Sequence, residues 1–173
     1  MARLTPSGHG WSLGGVVDGR LDDARTYHLT YDIECDVAWL TLRAEVSGSL
    51  GRERVHIAIA HDARAGIWTR DGIEQPQVAG AVDVDLGFSP STNTLPIRRL
   101  TLPVGVAAPV RAAWLRFPEL QLEALDQVYT RQAERQYIYQ SSGGRFRAIL
   151  EVDDVGFMTR YGDYWIAELP PHS

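Results

Sequence analysis

Two short polar runs carry most of the chemistry that the sequence offers. Asp83 and Asp85 alternate with apolar residues, and side chains two positions apart lie on the same face of a strand. Arg98 and Arg99 follow a proline-rich run a little further along the chain. A guanidinium and a carboxylate form strong, charge-assisted hydrogen bonds. We therefore expect Asp83 or Asp85 to lie within salt-bridge distance of Arg98 or Arg99.

The two adjacent arginines cannot easily serve the same partner. In a strand Arg98 and Arg99 point to opposite faces, and on a helix they lie about 100° apart. One of them can hold the local structure by pairing with a carboxylate, while the other contacts the anionic or sugar head of a ligand. The sequence leaves open which of the two faces the ligand.

The run between the acids and the arginines is rich in proline and small hydroxyl residues. Pro90 and Pro96 fix their own φ angles, and proline disfavours helical conformations for the residue before it, so Ser89 and Leu95 are expected to be extended. Ser, Thr and Asn side chains in this run can bond to nearby backbone groups. The sequence predicts a stiff loop at 91–94, with at least one of the side chains of 92–94 bonded to backbone.

Motifs of known catalytic sites are missing from the sequence. It has no Gly-x-Ser-x-Gly elbow, and its single cysteine, Cys35, is expected to be a buried, inert thiol. An acid-base site using Asp83, Asp85 or His61 remains an alternative. Two aspartates could begin a site for a hard cation, but such a site needs several more oxygen ligands. We therefore expect neither a metal nor a cofactor, and no catalytic residue is assigned.

Length and charge narrow the class of protein. The chain has 173 residues, which suits a single domain spanning 1–173. All 17 basic residues are arginine, and the net charge is −5, which argues against binding to a nucleic-acid backbone. There is no apolar signal segment, no lipidation motif and no stretch long enough to span a membrane. These features predict a cytoplasmic protein.

Alternation of apolar and polar residues predicts a sheet-rich fold. Residues 27–33, 37–46, 54–61 and 82–86 alternate in this way and are separated by Gly- and Asp-containing turns, a pattern typical of a largely antiparallel sheet. Residues 1–11 are expected to be loose. Residues 121–135 fit either a strand or a helix, since their apolar positions also match a period near four.

One local pattern occurs twice. Residues 61–72 and 152–162 each contain an Asp-led turn, a glycine, a strand and a Thr-Arg pair. This echo can reflect a duplicated hairpin, or only the preference of Asp and Gly for turns.

Aromatic residues are spread over several predicted strands. Trp114, Tyr129 and Tyr137 are among them, and such residues usually belong to a core. A strongly curved sheet can also leave an apolar hollow that these rings line. The apolar segment 104–110, broken by proline and glycine, would then form a flap over the hollow.

The run from Thr92 to Leu100 resembles the signature of a bacterial family described as Putative glycolipid-binding. The resemblance extends to 83–86, 117–120, 127–129 and 152–161, and so covers nearly the whole chain. It implies a curled antiparallel sheet that forms a partial barrel, similar in shape to the half-barrels of lipoprotein and lipid carriers. It also implies non-catalytic binding of an amphiphile, for example a glycolipid.

Together these observations predict an α+β, mostly β fold in which one or two short helices cover an open partial barrel. The predicted function is non-catalytic binding of an amphiphile in the concave face; the alternatives are an enzyme acting on a small amphiphile and an interaction scaffold without a pocket. The oligomeric state is left open. The predicted ligand-binding residues are Asn93, Thr94, Arg98, Arg99, Trp114, Tyr129 and Tyr137, with Asp83 and Asp85 as structural charge partners.

Overall fold

The computed structural model describes residues 2–167, and within them the chain is mostly β. Two seven-stranded sheets follow each other along the chain. A single α-helix, α1, spans Thr94–Leu100 in the described part of the chain. Short 3-10 turns lie at Pro76–Val78, Pro90–Asn93 and Ser142–Gly144. The predicted mostly β class, with a short helix against a curled sheet, is confirmed.

The first sheet is an antiparallel meander in which each strand pairs with the next. Alternating burial along its long strands places one face on the core and the other in solvent. Its strands are β1 Ala2–Pro6, β2 Gly10–Arg20, β3 Thr26–Asp36, β4 Thr41–Leu50, β5 Glu53–Asp62, β6 Ile67–Arg70 and β7 Ile73–Glu74.

The second sheet curls into a half-barrel. It is antiparallel except for its first two strands, which run parallel. A parallel pair needs a crossover connection, usually helical, and the segment 87–106, which contains α1, supplies it. Its strands are β8 Asp83–Leu86, β9 Ala107–Arg116, β10 Gln121–Ala133, β11 Gln136–Ser141, β12 Phe146–Val152, β13 Met158–Tyr161 and β14 Trp165–Ile166.

The structure corrects two local expectations and decides between strand and helix for a third segment. Residues 2–6, expected to be loose, form β1 because they complete an antiparallel ladder with β2. The expected flap 104–110 is mostly strand: β9 begins at Ala107 and pairs with β10. The ambiguous segment 121–135 is the strand β10, because hydrogen bonding to neighbours on both sides overrides its helical periodicity.

The proline-rich run is helical rather than a loop. Ser89 is extended, as predicted, and Pro90 opens a 3-10 turn. Leu95, also expected to be extended, lies instead inside α1. Pro96 is tolerated because it lies in the first turn, where backbone N–H groups have no intrahelical acceptor. Leu95 is fully buried, and this burial offsets the steric preference that proline imposes on it.

The core has two parts. The first packs the inner side of the first sheet against Val84, Leu86 and neighbouring residues of β9 and β10. The second fills part of the curled sheet and includes Ile97 of α1. The two sheets are also bonded directly, since the Thr41 hydroxyl accepts from the Val84 N–H at 3.1 Å.

The two segments that share the Asp-led turn pattern, 61–72 and 152–162, occupy corresponding positions near the ends of the two sheets. Residues 61–72 include the end of β5 and lead into β6 and β7, the last three strands of the first sheet. Residues 152–162 lie in the corresponding part of the second sheet, from β12 to β13. In both, the Asp side chain accepts bonds from backbone N–H groups of its own turn.

No helix in residues 2–167 is long and apolar enough to cross a membrane.

Candidate functional site

The register of the second sheet defines its inner face, the face that carries Tyr129 and Tyr139. Residues directly opposite each other in neighbouring strands share a face. One row across this face is Val110, Gln127, Ser141 and Phe146. Two further rows at the β8 end of the face are Asp83, Ala112 and Leu125, and Asp85, Trp114 and Glu123.

The inner face is packed at its centre and open elsewhere. Tyr129, Tyr137 and Tyr139 are buried in the second core cluster. Six residues on or beside this packed centre keep part of their surface in solvent: Asp85, Trp114, Glu123, Leu125, Phe146 and Tyr161. Part of the inner face is therefore accessible to solvent.

A cavity of about 650 Å³ lies beside this face. Its lining combines the inner-face residues Val110, Gln127 and Ser141 and Arg99 of α1 with residues of the opposite face, which are Arg111, Asp126, Val128 and Gln140. Val82 and Pro109 add apolar wall. This volume lies within the range of small-ligand pockets, in which apolar walls and a few polar groups are combined.

Aromatic rings form a wall on the same side of the sheet. Phe146 follows Ser141 in the inner-face row, and its ring centroid lies 5.9 Å from that of Tyr139 and 6.2 Å from that of Tyr161. Tyr164, whose side chain is largely exposed, extends the group at 5.8 Å from Phe146. These rings form a partly exposed aromatic surface on this side of the sheet.

The two arginines of α1 have separate roles, as their adjacency required. Arg99 donates twice to Asp83, from Nε to Oδ1 at 3.0 Å and from a terminal nitrogen to Oδ2 at 2.5 Å. Arg98 turns away: it lies 4.8 Å above the Trp39 ring, which stacks on Trp11, and it donates to the Val155 carbonyl. Arg99 is thus the arginine that reaches the cavity, whereas Arg98 ties α1 to the first sheet.

A chain of polar side chains runs from the 3-10 turn into the inner face. Asn93 donates to the Pro90 carbonyl at 2.9 Å, and its Oδ1 accepts from the Tyr129 hydroxyl at 2.7 Å. Gln127 donates from Nε2 to Asp85 Oδ2 at 2.6 Å. Thr92, which lies within bonding distance of both the Ser89 carbonyl and Asp85 Oδ1, closes the network. The expected bonding of this run to backbone is therefore present at Thr92 and Asn93.

Burial shifts the titration of the acids and phenols in this network. Desolvation raises the pKa of Asp85 to about 6, although Gln127 and Thr92 donate hydrogen bonds to it. Desolvation also raises the pKa of Asp83, and the paired Arg99 opposes that shift. The pKa of the Tyr129 hydroxyl is raised well above its usual value for the same reason. The phenols accordingly act as neutral hydrogen-bond donors.

The remaining predicted site residues are dispersed. Trp114 lies on the inner face beside Asp85, half-buried. Tyr137 lies further along the face, with the Arg131 guanidinium 5.8 Å from its ring centre. Thr94 is fully buried, and its hydroxyl has no hydrogen-bond partner among the described residues.

Sequence reasoning missed several polar residues of the site. Gln127 and Ser141 were not assigned, although the alternation of Gln127 with Tyr129 in β10 puts both on one face. Tyr31 was also not assigned. Its hydroxyl lies 2.6 Å from that of Ser91 and 3.1 Å from that of Ser89, and these bonds fix the 3-10 turn against the first sheet. No local signal joins Tyr31 to residues so distant in the sequence.

The residues considered for a nucleophilic, acid-base or metal site lie in other environments. His61 stacks on Trp68 at 4.2 Å, with Nδ1 3.0 Å from the Thr41 carbonyl. Cys35 is buried, and desolvation together with the Asp83 charge raises the pKa of its thiol to about 12. Within residues 2–167 no group of three or more His, Cys, Asp or Glu side chains is placed to hold a metal ion.

Asn93 offers a direct test of the polar network. We expect Asn93→Ala to lower the free energy of unfolding by about 1–3 kcal/mol. It removes the donor to the Pro90 carbonyl and the 2.7 Å acceptor of the buried Tyr129 hydroxyl, which keeps only a 3.3 Å contact with Gln127 Oε1. Urea unfolding measures the change. Gln75→Ala, which removes only exposed side-chain bonds, is the control, and an unchanged midpoint for Asn93→Ala would contradict the role given to this residue.

The chain is similar to a solved structure over nearly its full length. The crystal structure of a DUF1089 family protein from Pseudomonas aeruginosa, at 1.80 Å resolution, superposes with a TM-score of 0.86 at 28% sequence identity. The match covers 97% of this chain and 91% of that one. The comparison with curated proteins gives no match.

A family model matches most of the sequence and includes every residue of the site. It spans residues 1–167 and carries the description Putative glycolipid-binding. The β strands of both sheets, the helix α1 and the cavity residues all lie inside this span. The chain belongs to the Putative glycolipid-binding family.

Proposed function

We propose that the protein binds an amphiphile, a glycolipid in the sense of its family, on the inner face of the curled sheet without transforming it. The observation that carries the proposal is the cavity of about 650 Å³, in which Val110 meets the polar groups of Arg99, Gln127 and Ser141. An amphiphile needs both an apolar surface for its chain and polar groups for its head. The half-buried rings of Trp114, Phe146 and Tyr161 supply further apolar surface on this side of the sheet.

The energetics suit a single acyl chain. Apolar burial contributes about 25 cal/mol per Å², and part of this gain is offset by the loss of translational and rotational freedom on association. We expect dissociation constants on the order of micromolar. The proposal also places the protein in the cytoplasm, where the protein would shield the apolar part of a lipid from water.

Titration with a fluorescent fatty acyl probe, with a glycosyl diacylglycerol as competitor, tests the proposal. We expect saturable binding that the competitor reverses. Trp114→Ala should raise the dissociation constant by about tenfold, since losing part of the buried contact with one large ring is worth about 1.4 kcal/mol. Ile149→Ala, on the opposite face of β12 and exposed, is the matched control and should bind as the wild type does.

Two results would remove the proposal. One is the absence of saturable binding by a folded protein. The other is chemical change of the recovered lipid, seen by mass spectrometry, which would favour an enzyme. Native mass spectrometry of protein purified from its own host gives an independent check, because a retained amphiphile would appear as added mass.

A further inference from the structure

Four aromatic rings gather where β11, β12 and β13 meet the turn before β14. They form what we call the aromatic group: Tyr139, Phe146, Tyr161 and Tyr164. Five pairs of these rings have centroids 5.8–6.2 Å apart. The planes of Phe146 and Tyr161 lie within 22° of parallel, whereas Tyr139 meets Phe146 at 71°. Several rings placed at different angles are the arrangement that recognises quaternary ammonium ions in proteins.

The aromatic group is open to solvent on its outer side. Tyr139 is buried at its base, Phe146 and Tyr161 are partly exposed, and Tyr164 is 74% exposed. Rings that served only the core would be expected to bury most of their surface, since burial is the source of their stabilising effect. The outer rings of this group keep surface on which a ligand can lie.

Asp85 places negative charge behind the aromatic group. Its hydrogen-bond donors in the described part of the chain, Gln127 and Thr92, are both neutral, so no ion pair cancels its charge there. Gln127 donates to it at 2.6 Å and also bonds to the Tyr139 hydroxyl. Desolvation is the main cause that raises the pKa of the Tyr139 and Tyr161 hydroxyls, and the Asp85 charge contributes. The rings are thus neutral phenols that lie in the field of a carboxylate.

The arginines nearest the aromatic group in the sequence bind other groups. Arg145 donates to the Ser142 carbonyl at 3.0 Å, and Arg160 donates to the Gly162 carbonyl at 2.9 Å. In residues 2–167 the rings that lie beneath an arginine guanidinium are Trp11, Trp39 and Tyr137. These three rings are outside the aromatic group, so the protein's own cations leave its ring faces free.

We propose that the aromatic group binds an alkylated ammonium cation, the chemistry of choline or a trimethylated amine, on the faces of Phe146, Tyr161 and Tyr164, with Asp85 supplying the attracting charge. A ring quadrupole and a carboxylate both attract positive charge. A neutral molecule of the same shape therefore gains less from this site. The inference goes beyond the proposed function and does not rest on it, because the cation needs no acyl chain.

Two probes of equal shape separate charge from packing. Choline and 3,3-dimethyl-1-butanol differ in having a charged nitrogen or a neutral carbon at the centre of the three methyl groups. Each is titrated into the isotopically labelled full chain and followed by amide chemical shifts. We expect choline to bind with a dissociation constant on the order of millimolar and at least about fivefold more tightly than the alcohol, with the largest shifts at residues 146, 161 and 164. Equal affinities, or no saturable shift with choline, would overturn the inference.

Variants assign the binding to the rings. Tyr164→Leu, at an exposed position, should weaken choline binding by about 2- to 5-fold, the range for one exposed cation–π contact. Phe146→Leu should act in the same direction. Ile166→Ala, 63% exposed on the neighbouring β14, removes apolar surface without removing a ring and should bind choline as the wild type does. Unchanged affinity in both ring variants would contradict the site.

Asp85→Asn tests the source of the charge. It should bring the affinity for choline close to that for the neutral alcohol while leaving the alcohol unaffected. Asp22→Asn, exposed in the turn between β2 and β3, is the control and should keep the preference for choline. A purely structural role for Asp85 would weaken both probes together and leave their ratio unaltered.

Dodecyltrimethylammonium, titrated below its critical micelle concentration, identifies the source of the cation. Binding at least tenfold tighter than that of choline would support the site as one for the head of a cationic amphiphile. Binding equal to that of choline would support a site for small free cations. Failure of both cations to bind, while the fluorescent acyl probe still binds, would overturn this inference and leave the proposed function standing.

Discussion

We expect Arg99→Met to lower the free energy of unfolding by about 3–5 kcal/mol, the usual cost of removing one partner of a buried ion pair. The reason is Asp83, whose carboxyl group is left without its partner in a site where its side chain is only 2% exposed. Met keeps most of the apolar volume of the arginine stem, so the loss reports the charge rather than a cavity. Urea unfolding at pH 7 measures it.

Two further variants define the source of that loss. Asp83→Asn combined with Arg99→Met should recover part of the stability, because no uncompensated charge remains. Arg111→Met removes an arginine from an exposed pair, with side-chain exposures of 40% and 75%, and should change stability by less than about 1 kcal/mol. Equal losses for Arg99→Met and Arg111→Met would show that burial of the Arg99 pair has no special effect.

We expect Asp85→Asn to make the protein more stable at neutral pH. Desolvation raises the pKa of Asp85 from 3.8 to about 6 in the folded state, so the folded protein holds this proton more tightly than the unfolded chain does. The stability that protonated Asp85 contributes is fully present below about pH 4 and is lost as the pH rises through about 6. At pH 8 the ionised carboxylate costs at most about 3 kcal/mol.

Unfolding at pH 4, 6 and 8 measures this effect. Asp85→Asn should match the wild type at pH 4 and exceed it by up to about 3 kcal/mol at pH 8. The Asn side chain can still accept from Gln127 and donate to Thr92. Asp126→Asn, whose parent side chain is 75% exposed, should show little pH-dependent difference. A less stable Asp85→Asn protein at pH 8 would mean that the hydrogen bonds to the carboxylate outweigh its desolvation.

An acid that costs stability at neutral pH has a meaning for function. Residues that lower stability are often retained because a site needs them. Asp85 accepts a hydrogen bond from the Gln127 amide at 2.6 Å, so it fixes the orientation of that side chain on the inner face. Asp85→Asn should therefore be compared with the wild type for binding of the fluorescent acyl probe as well as for stability.

The sequence by itself determined the class of fold and the local chemistry. Period-two alternation predicted the strands and their antiparallel order, because burying one face of a sheet requires it. The shared face of Asp83 and Asp85, and the divergence of Arg98 and Arg99, follow from backbone geometry alone. The side-chain bonds from Thr92 and Asn93 to backbone were also predictable, since these residue types bond locally.

Only the tertiary structure decided which of these groups meet and what surrounds them. The helical conformation of Leu95 and the strand at residues 2–6 depend on burial and on partners distant in the sequence. The pairing of Arg99 with Asp83, the stacking of Arg98 on Trp39, and the approach of Tyr129 to Asn93 join segments that no local pattern relates. Gln127 joins the candidate site because the second sheet brings β10 close to β8, where its amide donates to Asp85. Burial there also raises the pKa of Asp85. Long-range packing sets both the contacts and the desolvation, and neither is encoded by the spacing of residues along the chain.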